Sequence, residues 1–531
     1  MLIGAIGMFY FTRCIVNYNY IGSFFSSALF ILSPWLAFRI IDSDLYYLCN
    51  CFIPWVLAFF IKSAQNYRYL ILTAIILSLY ISTGGLNFLI ITLFILAFSI
   101  LTFFDYGKNK KIRINKSWVI NFFTVIIITF LLSAVKVIPM ANLIKTRNFP
   151  YFHTSPKVEQ KYGAIEHGEN GNVTETLSQR CFTIDKLQKA LFRNSFPESG
   201  YLSIYFGYIP IILFFVSLAF YFPRLIRYSW LLFFLIILMF GPNSPIDIYK
   251  PLWSINAFTR AILKPDKYFL PYIIFLIALI SGQSFSLIER FKGNKKYVYT
   301  GILCLLAAFS IYDIFKVRHS IISKVSYATA RSIQRKSDNN FFQVKFYKPP
   351  DEIHHLNIRK NDDFWFYPLL RQNIGIVNFY PTVSIASSAI PKYFIDEQKS
   401  EIVFKHMNNF FDIEHLFKVN PEYKGEAFFL QRENKANLIY FSPNKIVVDA
   451  EIAVPDKLII NQNYHNGWRS DRGKVINNGG LLAVDLTNEN RGMVNLTYLP
   501  KDFLAGLAIS IVSFLGILFY LFLCQKSKNE R

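Results

Sequence analysis

Residues 492–523, GMVNLTYLPKDFLAGLAISIVSFLGILFYLFL, change their period halfway along. From Val494 to Tyr498 apolar and polar residues alternate, the period of two that marks a half-buried strand. From Phe503 to Leu523 no charge interrupts a run of 21 residues, close to the roughly 20 that an α-helix needs to cross a bilayer. A sheet domain therefore leads directly into a membrane span, and the chain on either side can be read from that junction.

Upstream of the junction the alternation continues through NLIYF, KIVVDAEIAV, DKLIINQNY, GKVIN and GLLAVDL, punctuated by the turn signals SPN, HNG and NNGG. This predicts a small antiparallel β-sandwich in the second half of a segment, 316–502, that contains no Cys. The rest of the chain is too apolar for water. Hydrophobic residues make up 53% of 531, aromatic residues 18% with 55 Phe and 32 Tyr, and charged residues only 17%. Apolar surface beyond what one core can bury needs lipid as its solvent. Apolar runs predict about eleven spans, near 1–12, 21–37, 47–61, 69–83, 86–104, 118–138, 201–222, 229–241, 268–288, 297–315 and 503–523.

The formal charge of +22 does not point to nucleic acid, because the basic residues sit in short segments between apolar runs. Lys108, Lys110, Lys111, Arg113 and Lys116 share one such loop, Arg224 and Arg227 a second, Arg290, Lys292, Lys295 and Lys296 a third, and Lys526, Lys528 and Arg531 the tail. If every run crosses, all four lie on the inner side, as the positive-inside rule requires. The same parity places Arg13, Lys62 and Arg68 inside and Met1 outside, so one upstream helix running outward would complete the pattern. The expected organisation is N-terminal spans over 1–138, an outer loop over 139–200, a second group of spans over 201–315, an outer α/β to β-sandwich domain over 316–502, a last span over 503–523 and a basic inner tail over 524–531.

Of the six cysteines, Cys14, Cys49, Cys51, Cys181, Cys304 and Cys524, most lie in or beside apolar runs, and no disulfide framework follows. The Cys49 and Cys51 pair has no second Cys or His cluster to complete a metal site. P-loop, dinucleotide-binding, nucleophile-elbow and HExxH patterns are absent, which argues against transport driven by ATP on this chain.

Three constellations carry chemistry. In RIIDSDLYY, Arg39, Asp42 and Asp44 follow a helix end on the outer side. Such carboxylates suit a divalent cation that bridges a phosphate, or a general base, as well as an ordinary polar loop. The residues leave the cofactor open, with a divalent cation as the candidate. The outer segment PNSPIDIYKPLWSINAFTRAILKPDK gathers Arg260, Lys264 and Lys267 against the positive-inside trend, which suits a lipid phosphate or simple head-group anchoring. Lys136, near the outer end of its span, is read as snorkelling. Tyr464 and Trp468, in NYHNGWRSDRG, offer rings for stacking on a sugar or for packing at a strand end.

The run GPNSPIDIYKPLWSINAFTRAILKPDKYFL resembles the small-loop signature of YfhO-like bacterial membrane proteins, with Lys264 and Lys267 where Arg is usual. NYHNGWRSDRGKVINNGGLLAVDLTNENRGMVNLTYLPKDFLAGLAIS resembles the C-terminal segment of that family, in which a Gly-Trp strand and a Tyr-x-Pro precede the last helix. LSPWLAFRI, STGGLNF and YFGYIPIILF extend the resemblance over most of the chain. It implies a GT-C-type glycosyltransferase in the bacterial cytoplasmic membrane. Such an enzyme passes a sugar from a polyprenyl-phosphate carrier to an envelope glycan or polymer on the outer face. The partners implied are the lipid-linked sugar, the glycan acceptor and membrane lipids. Asp42 or Asp44 would then serve as base or metal ligand, and Arg260, Lys264, Lys267 and Arg39 as the phosphate grip. The resemblance also implies that the first outward helix and its acidic loop precede Met1, which would leave this segment inactive by itself. The competing expectation is a non-catalytic envelope protein that binds glycan or a partner through its β-domain. A lipid flippase ranks behind both, since inverted repeats and midplane charges are scarce.

Overall fold

The computed structural model describes residues 1–41, 45–83, 85–103, 116–148, 164–166, 173–176, 181–192, 205–246, 248, 265–332, 390–391, 409–410, 418–419, 427–442, 444–479, 481–487 and 491–529. The chain divides into two compact bodies, one of Met1–Ala134, Thr154–Tyr327 and Ile509–Arg531, the other of Val135–His153 and Ala328–Ala508.

The first body is helical. Its described helices are α1 (Leu2–Tyr10), α2 (Tyr20–Leu32), α3 (Pro34–Ile41), α4 (Ile53–Ser63), α5 (Tyr67–Thr83), α6 (Gly85–Phe103) and α7 (Lys116–Leu132). The chain continues through α8 (Ala134–Thr146), α9 (Ile184–Phe192), α10 (Tyr208–Phe240), α11 (Pro265–Gly282), α12 (Asn294–Ser332) and α13 (Lys501–Asn529). Local chemistry sets several starts. The Asn19 side chain accepts a hydrogen bond from Gly22 N at 2.8 Å and caps α2, while Pro34 and Pro265 open α3 and α11 where a missing N–H costs nothing. A π-helical turn, Phe11–Ile15, extends α1, a 3₁₀ segment, Leu45–Phe52, precedes α4, and a second, Gln283–Arg290, extends α11.

Among the described residues, five windows are long and apolar enough to cross a membrane: Tyr20–Ala37, Tyr208–Asn243, Tyr268–Arg290, Asn294–His319 and Lys501–Leu523. A sixth counts if the helix that breaks at Ser133 is one span, and Leu2–Ile15, Tyr47–Ser63, Tyr67–Ser82 and Phe88–Ile100 are shorter apolar helices. The stretches expected as spans at 201–222 and 229–241 meet at Tyr221 (φ −130°, ψ 22°), a non-helical residue at which two helical stretches of α10 join. Pro223 sits at that break, where its ring removes one helix hydrogen bond. Both ends of α10 return to the same short segment, since Phe206 N–H donates to the Leu191 carbonyl oxygen at 3.4 Å and Asn243 Nδ2 to the Phe182 carbonyl oxygen at 3.1 Å, so the chain folds back at the break.

The central helix is α11: 94% of the Tyr268–Arg290 window is buried, against 6% of the Lys501–Leu523 window in α13. Rings from separate helices fill its surroundings. Phe275 of α11 lies 5.4 Å from Phe11 and 6.1 Å from Phe30, and Tyr272 lies 4.6 Å from Phe94. At the other extreme, α13 leaves Val512, Phe519 and Phe522 exposed, and a helix that is apolar on all faces and exposed needs an apolar solvent.

Among the described residues the C-terminal β region has eight strands, β1 (Ala427–Phe428), β2 (Lys435–Ser442), β3 (Lys445–Glu451), β4 (Lys457–Asn463), β5 (Trp468–Ser470), β6 (Lys474–Asn478), β7 (Leu481–Asp485) and β8 (Gly492–Tyr498). They pair as two antiparallel sheets, β6–β7–β4–β1 and β5–β8–β3–β2. Alternate residues from both sheets, among them Ile446, Val448, Leu458, Leu482, Val484, Val494 and Leu496, share one core. Ile459, Leu481 and Ala483 on the opposite face of the first sheet are also buried, with Phe428, which is why GLLAVDL reads as a nearly continuous apolar run.

The turn between β5 and β6 requires glycine. Gly473 has φ +67°, and a Cβ there would fall 2.2 Å from the Asp485 carbonyl oxygen. Gly473→Ala is expected to destabilise the β region by about 2 kcal/mol, read as a lowered unfolding midpoint. Just past β7, the Thr487 hydroxyl (2.9 Å) and N–H (3.2 Å) donate to Asp485 Oδ1, and these bonds hold its carboxyl below the usual carboxylate range. The sign follows: this stabilisation is present above the ordinary Asp pKa and fades only as pH falls through the lowered one.

Candidate functional site

Asp42, Asp44, Arg260 and Lys264 lie outside the described residues, and Arg39 and Lys267 are described only as backbone, on the last turn of α3 and the first turn of α11. The scaffold that carries them is described. Tyr47, three residues beyond Asp44, has its ring 5.8 Å from that of Tyr268, the residue after Lys267. Trp35, at the start of α3, lies 5.7 Å from Tyr47 in an edge-to-face arrangement. Trp35 and Tyr47 are 3% and 0% exposed, so this is a packed junction, not a chance surface contact. Two segments more than 200 residues apart in sequence are therefore pinned together at the start of α11.

One turn deeper the junction becomes polar. The Tyr80 hydroxyl donates to Asn50 Oδ1 at 2.5 Å, and Tyr272 lies close enough to Tyr80 to interact with it electrostatically. Asn50 is buried, and its Nδ2 has no partner among the described residues. Arg318 donates from Nη1 to the Ile31 carbonyl oxygen at 3.2 Å, close to the α2–α3 junction. Buried polar groups of this kind hold an arrangement together when paired and attract a polar guest when one atom is left over.

A further pair went unread in the sequence. Asp313 lies within the apolar window of α12, and the Tyr205 hydroxyl donates to its Oδ2 at 2.7 Å. Gly207 (φ +73°) permits this approach, since a Cβ there would stand 2.8 Å from the same oxygen. The available signal was an ionisable residue inside an apolar run. Tyr205→Phe is expected to cost about 2 kcal/mol, the range for a hydrogen bond to a charged group, measured by thermal unfolding.

Trp468 is 5% exposed, part of the sandwich core, with its ring 5.1 Å from Tyr498; Tyr464 packs partly buried against the same core. Packing at a strand end is what these rings do in the structure. Cys14, Cys49, Cys51, Cys181 and Cys304 are in no disulfide, and among the described residues no group of three or more His, Cys, Asp or Glu side chains could hold a metal ion.

By architecture this is a mostly helical protein, with several helices long and apolar enough to cross a bilayer and a separate C-terminal β region. Compared with known protein families, characterised proteins and solved structures, the chain matches none.

Proposed function

We propose that the chain is a polytopic membrane glycosyltransferase of the GT-C type, with about eleven crossings, in the bacterial cytoplasmic membrane and with its β region outside. It would transfer a sugar from a polyprenyl-phosphate carrier to an envelope glycan. The observation that carries this reading is the Tyr47–Tyr268 contact, which joins the residues that follow the acidic segment 42–44 and the basic segment 260–267 in the chain. Asp42 or Asp44 removes the proton of the acceptor hydroxyl, whose oxygen then attacks the anomeric carbon. The bond from that carbon to the carrier phosphate breaks, and Arg260, Lys264 and Lys267 take up the charge of the departing phosphate. Arg39, on the helix that precedes the acidic pair, adds to that grip. Glycan binding through the β region draws no support from Trp468, whose ring is buried.

The test is transfer itself. Membranes that contain the full chain are given labelled polyprenyl-phosphate hexoses, and label entering polymer is counted against membranes without it. Absence of chain-dependent transfer from every such donor sinks the reading.

A further inference from the structure

At the end of the helical body where α2 begins, four arginines gather around a distorted piece of backbone. Arg13, on the π-helical turn, donates from Nη1 to the Tyr18 carbonyl oxygen at 2.7 Å and lies 4.3 Å above the Tyr20 ring. Arg224, just past the break in α10, donates from Nη2 to the Val16 carbonyl oxygen at 3.0 Å. Asn17, between those two acceptors, has φ +64°, a conformation that non-glycine residues adopt rarely. Arg290, at the end of the 3₁₀ segment after α11, donates to the Phe220 carbonyl oxygen at 3.3 Å and lies 4.6 Å from the Tyr221 ring. Arg227 lies 5.0 Å from the Tyr228 ring, and its Nε is shielded from solvent without a partner among the described residues. Arg224 reaches Tyr18, Tyr221 and Tyr228 electrostatically, which ties the four into one cluster.

The balance of charge is uneven. Glu289 is the acidic neighbour, and no ion pair joins it to any of the four among the described residues. Carbonyl oxygens and tyrosine side chains hold each guanidinium, with Arg227 also hydrogen-bonded to the Tyr228 side chain and Arg290 to that of Tyr221, and these bonds engage one or two of its five N–H donors. Fixed guanidiniums with spare donors and no counter-ion repel one another, and an anion with several oxygens relieves that repulsion through forked hydrogen bonds. These arginines are also among the residues that the charge pattern assigns to the inner side, where basic pockets between helices meet anionic lipid head groups.

We propose that Arg13, Arg224, Arg227 and Arg290 form a binding site for a phosphate group, carried by an anionic phospholipid whose chains lie along the apolar faces of α2 and α10. The site is independent of the transfer reading, since none of these residues belongs to the acidic or basic segments assigned to it.

The experiment follows the unfolding midpoint of the purified full chain in mixed micelles. Phosphatidylglycerol, net-neutral phosphatidylcholine and inorganic phosphate are titrated in separate arms. Phosphatidylglycerol is expected to raise the midpoint and phosphatidylcholine not to. Half-saturation should move about fivefold in Arg227→Gln and about 25-fold in Arg227→Gln/Arg290→Gln, with less binding as salt rises. A rise with inorganic phosphate that is lost in the same variants also supports the phosphate site and makes a soluble anion its ligand. If Arg227→Gln lowers the lipid-free midpoint, Arg290→Gln alone, which gives up the Phe220 carbonyl bond and the contact with Tyr221, carries the comparison. Equal effects of the two lipids, or titrations unchanged in both variants, overturn the proposal.

Discussion

Membranes that carry Asp42→Asn together with Asp44→Asn are expected to transfer sugar about 10²–10⁴-fold more slowly than those with the unaltered chain. The substitution keeps shape and removes charge, so it takes away both a general base and a hard-cation ligand while leaving hydrogen-bonding capacity. Single substitutions separate the two roles. A lone base puts nearly the whole loss on one aspartate and leaves the rate insensitive to chelator, whereas a bridging cation spreads the loss over both and makes the rate depend on added divalent metal. Loss of charge at Arg260 or Lys264 acts on the departing phosphate and should lower turnover by about 10²-fold or more. Full-rate transfer by the double variant would remove these carboxylates from the mechanism.

The largest effect on stability is expected where α2 crosses α11. A Cβ at Gly282 would fall 1.8 Å from Ser26 Oγ and 2.8 Å from the Gly22 carbonyl oxygen, and one at Gly22 would fall 2.6 Å from the Gly282 carbonyl oxygen. The two backbones touch, as small residues allow between packed helices in lipid. Ser26 can rotate away; the Gly22 backbone cannot. Gly282→Leu therefore has to separate the helices, and with α11 central to the body the cost is expected to reach about 3 kcal/mol or more. Thermal unfolding of the purified chain reads this directly. Gly301→Leu on α12 and Gly516→Leu on α13 are the controls, because nothing lies within 4 Å of a Cβ at either position, and both should stay within about 0.5 kcal/mol of the unaltered chain. A midpoint for Gly282→Leu as high as those of the controls would show that the crossing is not close.

Much of this was written locally. The uninterrupted apolar run from Phe503 to Leu523 and the alternation before it led to a long exposed helix and a sheet, because each depends on neighbours a few residues away. The turn signals at SPN, HNG and NNGG likewise mark the ends of β2, the approach to β5 and the end of β6. The two stretches read on either side of Arg224 and Arg227 meet at a break at Tyr221 beside Pro223; helix resumes through both arginines, and Arg224 donates to a carbonyl oxygen of another helix's turn. The candidate chemistry was visible only as residue types, since Asp42 and Asp44 lie far in sequence from Arg260, Lys264 and Lys267.

Hydrophobic period by itself determined which stretches are apolar helices and where the β region begins to alternate. Only the tertiary structure decided that Gly22 meets Gly282, that Tyr47 meets Tyr268, that Tyr205 reaches Asp313 and that Arg13 shares its turn with Arg224. Each of these joins residues about 100 to 260 positions apart. Local propensity carries no information about such pairs, because they form only when buried surfaces of matching shape bring their helices together.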